Sequence, residues 1–121
     1  MDKVLPLCSV FTGADLVNAK YVGSDLTLDF EDVLDVARGR HDRSGKLVFG
    51  GVAKLTEGDA RVRSMDKKAP YGEVLELNYS GEHGPVMLIV VWHKFSPHIP
   101  TTVVYEFTCT SIKWFPNCAS R

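Results

Sequence analysis

Along much of the chain apolar residues alternate with polar ones instead of recurring every three or four positions, a period that predicts strands. The alternation is cleanest over residues 73–79, where Leu75, Leu77 and Tyr79 share one side and Glu76 and Asn78 the other. It returns over 103–109, where Val103, Tyr105, Phe107 and Cys109 alternate with Val104, Glu106 and Thr108; Ile112 and Trp114 extend it until Pro116. Residues 86–95 are almost continuously apolar, with Val86, Leu88, Val90 and Trp92 on one face and Met87, Ile89 and Val91 on the other. Such a strand needs cover on both sides, which predicts a central position. The segment 80–84 has turn composition, and 96–100, with two prolines, is predicted to be a loop because proline removes a ladder donor.

The first half is less regular. Over 25–38 two readings compete: Leu26, Leu28, Phe30, Leu34 and Val36 share a strand face, whereas Phe30, Val33, Leu34 and Ala37 share a helix face, with Asp29 as N-cap and Gly39 as stop. The strand is preferred, because the alternation already starts at Leu26 and leaves Glu31, Asp32 and Asp35 to face water. Residues 40–45 have the composition of a hairpin connection. Next, Leu47, Phe49, Ala53 and Leu55 lie at even spacing around Gly50-Gly51, a pair that marks a bulge or a close backbone approach and lacks the fingerprint of a phosphate loop. Residues 57–70 are polar and are expected to form a long mobile loop with a short strand at 61–65. Strand spacing over 4–11 is followed by helical spacing over 14–21, with Leu16, Val17 and Ala19. The expected fold is mainly β, with α+β as the alternative: one domain, 1–121, made of a single antiparallel meander. The meander forms a curved sheet, small barrel or sandwich, with at most one or two short helices in the first 38 residues.

Composition narrows the function. A chain of 121 residues can bury a core without disulfides or a metal. With 14 Lys+Arg against 15 Asp+Glu and no run of like charge, nucleic acid and anionic membranes are not expected partners. The longest apolar run, 85–92, is too short for a spanning helix, and no leader pattern opens the sequence. An odd set of cysteines, Cys8, Cys109 and Cys118, points to the cytoplasm rather than a secreted disulfide framework. His93 and His98, with His41 or His83, lack the ligand spacing of a metal site, so no metal or cofactor is expected. Cys109, on an apolar strand face, reads as an inert buried thiol. Asp29, Glu31, Asp32 and Asp35 form an acidic cluster, read as a solvated face that can steer and hold a basic partner. Trp114 and Phe115, adjacent in a strand, cannot both point inward, so at least one is expected to be an exposed anchor. Two other functions remain open: a carrier of a small apolar ligand, its cavity lined by Leu75, Leu77, Tyr105 and Phe107, and a small hydrolase using His93 or His98 with a carboxylate.

Four segments, Leu26-Thr27-Leu28-Asp29-Phe30-Glu31-Asp32-Val33, Gly72-Glu73-Val74-Leu75-Glu76-Leu77, Val91-Trp92 and Ile112-Lys113-Trp114, together resemble small bacterial immunity proteins of polymorphic toxin systems. The resemblance implies a non-enzymatic cytoplasmic protein that binds a cognate toxin domain and blocks it. Asp29, Glu31, Asp32 and Asp35 would meet a basic toxin. The near-neutral net charge of −1 departs from the strongly acidic balance common among nuclease inhibitors.

Overall fold

The computed structural model describes residues 5–95 and 98–117, the side chains of residues 95 and 98 excepted. Nine strands form one antiparallel sheet: β1 (Asp15–Val22), β2 (Asp25–Asp35), β3 (Arg40–Gly50), β4 (Ala53–Glu57), β5 (Ala60–Arg61), β6 (Tyr71–Tyr79), β7 (Gly84–Phe95), β8 (His98–Cys109) and β9 (Ser111–Pro116). Their order is β5-β4-β8-β7-β6-β1-β2-β3-β9. β3 runs on into β4 and β8 into β9, and these two bent strands pair on both sides of the bend, Leu47 opposite Trp114 and Thr56 opposite Glu106. At the corner the Thr110 N–H donates to Gly50 O at 2.8 Å. Gly51 has φ +63°, and a Cβ there would collide with Thr110, so the glycine pair marks the close approach that its sequence predicts. The sheet therefore curls, although its outermost strands β5 and β9 do not pair with each other among the described residues.

Bulges account for most departures from the sequence reading. An extra residue at Val17 in β1, another before Val33 in β2 and one at Leu75 in β6 each shift the register. Inward positions then step by three across each bulge: Leu16 to Ala19, Phe30 to Val33, Val74 to Leu77. That step mimics a helix, which is why residues 14–21 read as helical and yet form β1. It also removes Leu34 from the fully buried set and leaves Val36 69% exposed. Leu75 is likewise 45% exposed, on the face opposite Leu77, and Phe107 packs edge-on against Phe49 at 5.0 Å.

Three connections also differ. Residues 40–45 are the first half of β3, and the turn lies just before them, where Gly39 at φ +65° donates its N–H to Asp35 O at 2.8 Å. Pro100 lies in β8, not in a loop, opposite His93. Val104 O accepts from Gly58 N–H, so even-numbered positions of β8 turn their backbone groups away from β7. At Pro100, beyond the end of β4, that side has no strand partner among the described residues and the missing N–H costs no ladder bond there. Within 57–70, the strand expected at 61–65 is replaced by the short β4–β5 hairpin. This segment is tied down by a fully buried Met65 and a Lys68–Glu57 ion pair of 2.9 Å.

The core lies on the concave face. β7 is central, between β6 and β8, with Val86, Leu88, Val90 and Trp92 all buried. Its other face is not covered by a second layer among the described residues: Met87 and Ile89 are half-buried, shielded by cross-strand neighbours such as Asn78, Glu106 and Glu76. Strand spacing over 4–11 predicts a strand, of which residue 4 lies outside the described residues; Cys8–Phe11 instead form one 3-10 turn that plugs the concave face. Phe11 is fully buried, 5.0 Å from the Phe30 ring and 5.4 Å edge-on to Trp114. Trp114 is thus a core residue, 8% exposed, and not an anchor. The Trp92 indole N–H donates to the Tyr105 hydroxyl at 3.0 Å, which satisfies both polar tips inside the core. Cys109 is buried, as its place on the apolar strand face predicts, and that burial pushes its thiol up; Cys118 lies outside the described residues. No helix among the described residues is long and apolar enough to cross a membrane.

Candidate functional site

The bulges that disturb the inward pattern also gather carboxylates on the outward face. Leu16, Phe30 and Val74 point into the core, so their neighbours Asp15, Glu31 and Glu73 point out. The register places Asp15 opposite Glu31 on one side and opposite Glu73 on the other, a row of three acids across β2, β1 and β6. Directly opposed like charges in a sheet repel. The bulge in β2 adds a fourth: Asp32 sits at φ +59°, a left-handed conformation that non-glycine residues adopt sparingly, and its carboxylate hydrogen-bonds that of Asp15.

No lysine or arginine pairs with these four acids among the described residues; the His93 Nε2 lies 3.6 Å from Glu73, and its ring stacks on Tyr71 at 5.4 Å. Asp15 is accordingly raised from 3.8 to about 6. Partial burial is the largest cause, followed by the hydrogen bond and charge of Asp32 and then the charges of Glu31 and Glu73. The folded state holds this proton more tightly than the unfolded chain. Its contribution to stability is therefore complete below pH 3.8 and is lost as pH rises through about 6. After discounting for solvent at this half-exposed position, the effect is about 1 kcal/mol. Asp15→Asn is expected to flatten that slope and to stabilise the protein by about 1 kcal/mol at pH 7.5. Thermal melts of both proteins between pH 4 and 7.5 check this, and parallel curves would show that Asp15 does not titrate there.

Of the residues singled out by sequence, Glu31 and Asp32 belong to this cluster. Asp29 lies next to it but is neutralised by Lys46 at 2.8 Å, and Asp35 serves the turn, its Oδ1 accepting from Ala37 N–H at 3.1 Å. Phe115 is 38% exposed and lies opposite Lys46, so a second row, Asn18, Asp29, Lys46 and Phe115, runs beside the acids. Asp15 and Glu73 were missed. Asp15 stands in a segment whose bulge hides its strand character, and no single-strand pattern reveals which residues face each other. Among the described residues no three His, Cys, Asp or Glu side chains are grouped to hold a metal ion, and the side chain of His98 lies outside them. No family model, no curated protein and no solved structure matches the chain.

Proposed function

We propose that the chain is a non-enzymatic binding domain that holds a basic protein partner against its acidic face, acting in the cytoplasm as an immunity-type protein toward a cognate toxin domain. The observation that carries the reading is the row Glu31–Asp15–Glu73 with Asp32 beside it, which no lysine or arginine pairs among the described residues. Stacked carboxylates without lysine or arginine partners store repulsion that an incoming cationic side chain relieves, so partner binding gains both attraction and relief of strain. Phe115, an exposed aromatic beside the charged rows, supplies the apolar anchor that such interfaces centre on.

Co-expression with the product of the neighbouring gene, followed by calorimetry of the purified pair, tests this. Glu31→Lys with Glu73→Lys is expected to weaken the complex by on the order of 100-fold, and Phe115→Ala by about tenfold. Because Asp15 must ionise to present its charge, affinity is expected to rise as pH passes upward through about 6. A complex indifferent to the double charge reversal would exclude this face as the contact.

A further inference from the structure

A second outward feature lies at the far end of β6–β8, away from the acids. Between β4 and β6 the sheet carries a trough of about 540 Å³, within the range of small-molecule sites. Its geometry follows from two transverse rows. In one, Arg61, Thr56, Glu106, Met87 and Asn78 stand opposite one another across β5, β4, β8, β7 and β6. In the other, short side chains, Thr108 and Pro85, leave the depression. Three interstrand spacings, about 14 Å, set its length.

Charge is distributed unevenly along it. Lys54 and Arg61 stand at the β4–β5 end, and neither forms an ion pair among the described residues. Lys54 is the bulged residue of β4 and sits at φ +58°, a conformation that side-chain-bearing residues adopt sparingly. Met87 and Pro85 give the middle an apolar floor, and Glu106 stands between that floor and the cationic end, opposite both Thr56 and Met87. At the β6 end stand the neutral Asn78 and Ser80. The two cations outnumber Glu106 at the β4–β5 end and fit one anionic end group there, Glu106 disfavours a second anionic group over the neighbouring Met87, and the floor fits an apolar chain. We infer that the trough binds an elongated monocarboxylate, its carboxylate held by Lys54 and Arg61 and its apolar chain laid over Pro85 and Met87. This site is distinct from the acidic face and stands or falls without it.

Octanoate is the probe, with octylammonium as its charge-reversed control, read by calorimetry and by methionine methyl resonances. Octanoate is expected to bind saturably and to shift Met87 while leaving Met65, fully buried elsewhere, in place. Octylammonium is expected not to bind. Arg61→Gln and Lys54→Gly should each weaken octanoate at least about fivefold, by loss of a charge-assisted contact. The Lys54→Gly variant should melt no lower than the parent, because glycine relaxes the backbone at φ +58°. Glu31→Lys with Glu73→Lys should leave octanoate affinity unchanged. Equal binding of the two amphiphiles, parent-like affinity in both cation variants, or shifts at Met65 as large as at Met87 would overturn the site. A Met87 resonance that moves with protein concentration alone would overturn it in favour of a second copy of the chain in the trough.

Discussion

Phe11→Ala is expected to lower stability by about 4 kcal/mol, a loss usually confined to the middle of a sheet or helix. Phe11 belongs to a four-residue 3-10 turn near the N-terminus, a unit too short to hold itself together. Its place is set by packing: the ring is fully buried against Phe30 and Trp114 and fills the concave face of a sheet with no second layer among the described residues. The Tyr79 hydroxyl, donating to Pro6 O at 2.6 Å, fixes the approach of the segment. Removing the ring forfeits its transfer free energy and leaves a cavity that strands β2 and β9, held by their ladders, cannot close. Leu7→Ala in the same segment should stay within about 0.5 kcal/mol, since Leu7 is 74% exposed. Urea titrations of the two variants decide the matter; a Phe11→Ala loss below about 1 kcal/mol would mean that the turn is peripheral.

The same packing explains what was legible beforehand. β7 and β8 could be read because their inward residues keep a step of two from end to end, Val86 to Trp92 and Val103 to Cys109. In β1, β2 and β6 the inward face changes parity at each bulge, so a strict alternation assigns residues such as Leu75 to the wrong side. There an inward step of three, Leu16 to Ala19 or Phe30 to Val33, carries the period of a helix in a strand backbone. The candidate site suffers from the same feature and from a second one. Glu31 and Asp32 stood out as neighbours in sequence, but Asp15 and Glu73 meet them only through register, which depends on where each bulge falls. For Trp114 and Phe115, alternation required one of the pair to face out, and it is Phe115 that does so while Trp114 is buried.

Gly72→Val sets two principles against each other, with magnitudes far enough apart to separate them. By strand propensity valine should help, since glycine inside a strand costs about 0.5–1 kcal/mol. Contact says the opposite. Gly72 lies on the core face between Leu16 of β1 and Trp92 of β7, and a Cβ there would come within 2.9 Å of Trp92 Cε3 and closer still to Val90. Neither neighbour can yield: Val90 is fully buried, and Trp92 is fully buried with its N–H tied to Tyr105. Overpacking of this kind costs about 3 kcal/mol for valine, so a net loss of about 2 kcal/mol or more is expected, with a smaller loss for alanine. Combining Gly72→Ala with Val90→Ala gives the new methyl room, and the pair should be more stable than the sum of the single losses by at least about 1 kcal/mol. A Gly72→Val protein as stable as the parent, or strict additivity in the pair, would mean that the sheet can shift at β6 and that the indole of Trp92 does not fix its spacing.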